Sequence, residues 1–281
     1  MNLDHLSDYL QNQIFVAFDS ETTGMWAPIN RLVELSAVKF TLNLGEIGTF
    51  DSLINPQKEI PEEVIEIHGI TNEMVKDAPT SKPVLKKFKD FCGPDSILLA
   101  HNAPFDISFV GSSLMRNKLK FSNNIILDTI EIYKEYFPNL ESYSLLNLIK
   151  KFGMSQSQDH RALSDARFVY YLFRHVAEKF PPIENVDDLI KTFIVHRMTD
   201  TDDAIKELPG NYSDLNFAFT NKLRVEIDYY HPTREENKRT IQLREIHKLG
   251  SVYYIIAYCE RMGSERTFRL DRIKEYKVLA G

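Results

Sequence analysis

Cysteine is nearly missing from these 281 residues: Cys92 and Cys259 are too few for a disulfide framework or a cysteine-rich zinc site. Both stand in apolar stretches, where a reduced, buried thiol is the ordinary outcome. Long hydrophobic runs are missing as well. No segment approaches the roughly 20 apolar residues of a membrane span, and the longest candidate, Tyr253 to Cys259, is strand-like. Met1 to Gln13 carries Asp4 and Asp8 and resembles neither a signal nor a transit peptide, so a cytoplasmic location without a membrane partner is expected. A strong basic excess is also lacking, since the net charge is -6. Residues 1–209 hold 21 Lys and Arg against 30 Asp and Glu, whereas residues 210–281 hold 13 against 10. The acidic first part does not hold nucleic acid by bulk charge; the mildly basic tail can add to such binding, or it is the solvated face of a small domain.

What is present suffices for packed cores, 43% hydrophobic with 11% aromatic content, in one large domain or two ordinary ones. Ile14 to Phe18 reads as a strand, and Arg31 to Leu42 and Gly48 to Ile54 complete an antiparallel meander turned at Asn43-Leu44-Gly45. A short helix, the Gly69 break and a Thr71 cap come next, then an amphipathic helix from Pro83 to Phe91. Ile97 to His101 and Ile125 to Asp128 are apolar strands that lead into helices, with Ile107, Val110 and Leu114 inward on the first. Further helices span Thr129–Tyr136 and Ser144–Phe152, and another carries an apolar stripe through Ala166, Val169, Phe173 and Phe180. A meander followed by β-α-β-α units implies an α/β fold: a mixed sheet with flanking helices.

Asp19 and Glu21 are two apart on the first strand, so both carboxylates leave the same face, and Gly24 lets the chain turn away. At ~4 Å and an effective dielectric near 20 such a pair repels by about 4 kcal/mol, which a cation would offset. Asp106 stands at a strand-to-helix junction. Asp165 lies beside the apolar stripe of its helix, with His160 five residues earlier. Each has an ordinary alternative, as a first-turn helix acid or a loop histidine. Together the four acids fall where α/β folds gather ligands at one sheet edge. Oxygen-only ligands suit Mg²⁺ or Mn²⁺, and two such ions suit in-line displacement at phosphorus. His160 is suited to take a proton from the attacking water.

Four stretches carry a resemblance: Phe18 to Gly24, His68 to Thr71, His101 to Asp106, and His160 to Ala166. In order and spacing they resemble the motifs of the DEDDh 3'-5' exonucleases, and are similar to those of the proofreading (epsilon) subunit of bacterial replicative polymerase, over about residues 13 to 180. The resemblance implies a ribonuclease H-like fold. It implies that Asp19, Glu21, Asp106 and Asp165 hold two metal ions with His160 as base. It further implies that the backbone around Ser20, Thr22 and Thr23 grips the terminal nucleotide, bordered by Met25, His68, Asn102 and Phe105; Met25 and Phe105 have packing roles as their alternatives. Asp128 is read as structural.

Pro181-Pro182 breaks the last helix; residues 181–214 read as a linker with a helix from Val186 to Arg197 and a polar run from Thr199 to Asp203. Leu223–Tyr230, Arg239–His247, Val252–Cys259 and Arg266–Ile273 then read as four strands of a small all-β unit. Residues 215–281, through Tyr253 to Cys259 and Arg266 to Ile273, resemble the WYL domain of bacterial regulators, with Tyr253 where that family usually has Trp. The resemblance implies a small SH3-like barrel that binds nucleic acid or a regulatory nucleotide, and Tyr254, Tyr258, Arg266, Arg269 and Arg272 suit phosphate gripping and base stacking. Their alternative is ion pairing with Glu260, Glu265 and Asp271. No segment here resembles the polymerase-binding or clamp-binding tail of the proofreading subunit. The expected function is a metal-dependent 3'-5' exonuclease acting on single-stranded DNA, with an exoribonuclease or a ligand-responsive protein on a nuclease scaffold as alternatives.

Overall fold

A computed structural model of the chain describes residues 3, 5–199, 207–230, 238–249 and 252–279. Asp4 and residues 200–206 of the expected linker fall outside the described residues. Two compact units emerge, Met1–Thr201 and Asp202–Gly281. The first runs α1 (Asp8–Asn12), β1 (Phe15–Thr22), β2 (Leu32–Thr41), β3 (Gly45–Leu53), α2 (Glu62–His68), α3 (Asn72–Val75), α4 (Ser81–Cys92), β4 (Ile97–Ala100), α5 (Ala103–Arg116), β5 (Ile126–Asp128), α6 (Thr129–Tyr136), α7 (Leu145–Lys151), α8 (Ala162–Ala177) and α9 (Val186–Thr192). The strand order is β3-β2-β1-β4-β5. β2 lies antiparallel to β1 and β3, while β4 is parallel to β1 and β5. This is the expected mixed sheet.

Alternation along β1 explains how both faces are covered. Phe15 and Ala17 pack with Val169, Phe173 and Val176 of α8, and Val16 and Phe18 pack with Phe88 of α4 and Ile107 and Val110 of α5. Phe173 lies 4.8 Å from Phe15 between ring centroids, and Phe88 lies 5.7 Å from Phe18. The two-residue period carries on past the apolar run and sets the direction of the polar residues at its end. Asp19 and Glu21 inherit the α8 face, and Ser20 and Thr22 inherit the α5 face.

Three local features differ from the expectation or complete it. The helix from Val186 stops at Thr192 rather than Arg197, because Phe193 turns extended and His196 forms a bridge with Ile126. Ile183, Leu189 and Phe193 are buried in the core of the first unit, with Phe193 against Phe180 at 4.9 Å. Asp128 is a structural clamp: its carboxylate accepts the backbone N–H groups of Asn102 (3.0 Å), Ala103 (3.1 Å) and Ile130 (2.8 Å), so it starts α6 and fixes the entry to α5.

The second unit carries a helix that no sequence pattern announced, α10 (Ser213–Thr220). It continues as β6 (Arg224–Tyr229), β7 (Lys238–Leu249), β8 (Val252–Cys259), β9 (Ser264–Arg269) and β10 (Ile273–Val278). All ladders are antiparallel in the order β10-β6-β7-β8-β9. Among the described residues the unit is a small β domain of five strands, not four. The expected strand Arg266–Ile273 is interrupted by a 3-10 turn, Leu270–Arg272, which buries Leu270, and a fifth strand starts beyond it. Leu215 and Ala218 of α10 join Val225, Ile227, Ile255 and Phe268 in its core. Among the described residues no helix is long and apolar enough to cross a membrane.

Replacing Asp128 with Ala removes a helix cap and two further charge-assisted bonds, a loss of about 3 kcal/mol. Urea denaturation of the first unit should show it, with Asp128→Asn less affected; unchanged stability in Asp128→Ala would contradict the clamp.

Candidate active site

Three elements converge at the end of the sheet where β1 stops. β1 brings Asp19 and Glu21, α8 brings Asp165 in its first turn, and α5 brings Asp106. One carboxylate oxygen from each of Asp19, Glu21 and Asp165 lies within 4.8 Å of the other two. Asp106 stands outside that trio. It lies on the α5 face, where Ser20 Oγ donates to its Oδ1 at 2.6 Å, yet its charge still acts on Asp19 and Glu21.

Burial pushes all four acids toward protonation, and neighbouring carboxylates add to it. Asp19 is raised well above the ordinary carboxylate range, first by burial and then by Asp106, Glu21 and Asp165. Glu21 is pushed up to about 9 by burial and by Asp165. Asp106 rises to about 7 through burial, opposed by the Ser20 hydrogen bond, and Asp165 rises to about 6 through burial, opposed by a hydrogen bond from Gln158. Asp165 Oδ2 accepts from Gln158 Nε2 at 2.6 Å, while its buried Oδ1 has no partner. Clustered acids whose charge is disfavoured by burial and by neighbouring carboxylates, with one oxygen unsatisfied, are a donor set that a hard divalent cation fits. No cysteine enters the group, and oxygen is its only donor type.

Backbone geometry accounts for the shape of the rim. Gly24 has φ 147°, and a Cβ there would meet the Asn30 side chain at 2.8 Å, so the turn leaving β1 requires glycine. The hydroxyls nearby are engaged: Thr22 Oγ1 donates to the Gly24 carbonyl (2.7 Å) and Thr23 Oγ1 to Asn30 Oδ1 (3.2 Å). Met25 is 80% exposed, so it does not pack inward. Phe105 is partly buried and rests against Phe109 at 4.9 Å. Asn102 holds the left-handed N-cap position of α5 with φ 68°. His68 is buried; its Nδ1 accepts the Ile70 N–H (3.0 Å), and burial lowers its pKa against an opposing contact with the Thr22 backbone. His160 is exposed, with φ 50°, and its charge acts on Asp165.

Sequence reasoning passed over Glu34. This β2 residue pairs in register with Glu21, is 1% exposed, and forms an ion pair with Arg161. An acid inside the run Leu32-Val33-Glu34-Leu35 was the signal available. Gln158 carried none.

In the second unit β8 and β9 pair without a register shift, placing Tyr254 opposite Arg269 and Ala257 opposite Arg266. Arg266 and Arg269 therefore leave opposite faces of the sheet. Tyr254, Tyr258 and Arg269 share a face, Arg272 is exposed in the 3-10 turn, and Arg269 holds Asp271 bidentately at 2.7 and 3.1 Å.

A family model described as Exonuclease matches residues 16–173, and one described as WYL domain matches residues 210–278. The DNA polymerase III PolC-type protein of Bacillus cereus is 38% identical over 164 residues, covering 58% of this chain and 11% of that protein. The chain thus spans about a tenth of that relative's length. Among solved structures, the nuclease domain of 3'hExo, a DEDDh family member bound to rAMP, shares the fold at TM-score 0.54 and 20% identity, covering 62% of this chain and 94% of that one. E. coli Exonuclease I in complex with a dT13 oligonucleotide does so at TM-score 0.55 and 15% identity, covering 87% and 55%. With Asp19, Glu21, Asp106, His160 and Asp165 all inside the matched residues, the chain belongs to the exonuclease family.

Proposed function

We propose that the chain removes nucleoside monophosphates one at a time from the 3' end of single-stranded DNA. The observation that carries this reading is the convergence of Asp19, Glu21 and Asp165 within 4.8 Å, with Asp106 alongside. Asp19, Glu21, Asp106 and Asp165 would hold Mg²⁺ or Mn²⁺. Two such ions would supply charge stabilisation at the attacking and leaving oxygens of the phosphodiester. The chain's own groups do the rest. Ser20 keeps Asp106 oriented, and Gln158 does the same for Asp165. An imidazole nitrogen of His160 accepts the proton of the attacking water; its exposed place before α8 leaves it open to solvent and substrate. The backbone of Ser20, Thr22 and Thr23 and the side chains of Met25, His68, Asn102 and Phe105 border the terminal nucleotide. His68 Nε2 carries the proton when Nδ1 accepts from Ile70.

DNA is favoured because the sequence relatives are DNA polymerases. The second unit, on the surface around Tyr254, Tyr258, Arg269 and Arg272 and at Arg266, would bind nucleic acid or a regulatory nucleotide.

Two outcomes are expected. Matched 5'-labelled DNA and RNA strands with Mg²⁺ should give a ladder shortening from the 3' end, faster on DNA and abolished by excess chelator; cleavage that persists in chelator would refute the metal assignment. Replacing Arg266 and Arg272 together with Ala should weaken oligonucleotide binding by the full chain and flatten its salt dependence by about one unit of slope for each phosphate no longer neutralised. An unchanged slope would assign these arginines to structure.

A further inference from the structure

Glu34 sits among the acids without joining them. Its carboxylate leaves β2 beside Glu21 of β1, and its charge raises the proton affinity of Asp19, Glu21 and Asp165. A fifth buried carboxylate here would aggravate the repulsion that the site already carries. Arg161 neutralises it: the guanidinium Nε lies 3.1 and 3.2 Å from the two Glu34 oxygens, and Nη2 also closes on Oε1. Oε2 in addition accepts the backbone N–H of Ala162 at 2.9 Å. Both oxygens are thus occupied by protein donors.

Those donors are informative by where they lie. Arg161 is the N-cap residue of α8 and makes no side-chain cap bond to its own helix. The cap comes instead from Glu34, a carboxylate on another element, placed where the helix dipole and an orphan N–H both favour it. Arg161 comes directly after His160, and Asp165 donates its backbone N–H to the Arg161 carbonyl at 3.0 Å. One buried acid on β2 therefore anchors the backbone that presents both the histidine and the first-turn aspartate. Among the described residues, the other side-chain tie from this segment to the site is Gln158 to Asp165.

We propose that Glu34 and Arg161 form a positioning pair that fixes His160 over the acidic site. This rests on the reading of His160 as the proton acceptor. Neither member of the pair reaches the substrate. Their effect is felt in turnover, because the base must be held within hydrogen-bond reach of the attacking water, and not in affinity for the strand.

The test is a double-mutant cycle in the full chain, with Mg²⁺ and a 5'-labelled single-stranded DNA. Glu34→Gln keeps an acceptor for the Ala162 N–H and removes the charge on which Arg161 is held. It should lower kcat roughly 10- to 100-fold, as loss of a supporting partner does elsewhere, with KM within about twofold. His160→Ala should lower kcat at least as far. The combined variant should be no slower than His160→Ala alone. Arg161→Lys, which keeps the charge but loses the bidentate fork, should fall between wild type and Glu34→Gln and guards against a folding artefact. If Glu34→Gln slows the His160→Ala background by the same factor as wild type, or raises KM with kcat unchanged, the positioning role is overturned while the base assignment stands. If His160→Ala keeps wild-type turnover, the base assignment falls and this inference with it.

Discussion

Repulsion among carboxylates where water is largely excluded is the constraint around which the first unit is arranged. Asp19, Glu21, Asp106 and Asp165 each hold a proton more tightly because burial penalises their charge and because carboxylates lie near: one another for Asp19 and Glu21, Asp128 for Asp106, and Asp159 and Glu34 for Asp165. Such a cluster does not assemble by itself; the core on both faces of the sheet assembles it. Phe15, Phe40 and Phe173 lock α8 to β1 on one side, and Phe18 and Phe88 lock α4 on the other. The strand period then sends Asp19 and Glu21 to the α8 face and Ser20 to the α5 face. The fold holds in place what electrostatics would scatter.

Small polar residues limit the resulting cost without removing it. Ser20 bonds Asp106 and Gln158 bonds one oxygen of Asp165. Arg161 neutralises Glu34, a further buried acid outside the trio. The other oxygen of Asp165 is left unpaired. A site built only for stability would have satisfied that atom or replaced the acids with apolar groups. The residual imbalance is what a divalent cation would correct.

Much of this was legible in the residues, and the reasons are physical. The i, i+2 spacing of Asp19 and Glu21 fixes their common face once β1 is a strand, and the i, i+4 stripe of α8 turns Asp165 inward. Asp128 was separable as structural, and its three backbone bonds show why. Glu34 was harder, since one acid in an apolar strand does not disclose that a guanidinium 127 residues later reaches it. The arginines of the second unit do not share one face. Arg266 and Arg269 are three apart, so a strand must send them to opposite faces, and the 3-10 turn at Leu270 removes Arg272 from that strand altogether. Helix α10 is short and weakly patterned; packing of Leu215 and Ala218 against the sheet determines it.

The central claim is that the clustered acids oppose the metal-free fold and that a divalent cation relieves them. Each acid has its folded pKa raised above its unfolded value near 4. The penalty is therefore absent below about pH 4, grows as pH rises above that value, and is complete only above about 6 for Asp165, about 7 for Asp106 and about 9 for Glu21. The direct measurement is the thermal midpoint of the first unit between pH 5 and pH 9, in excess chelator and in excess Mg²⁺. The account predicts a midpoint that falls with pH in chelator, and a Mg²⁺-induced rise that widens toward alkaline pH as the carboxylates ionise. A midpoint that Mg²⁺ does not move, or moves equally at pH 5 and pH 9, would contradict it.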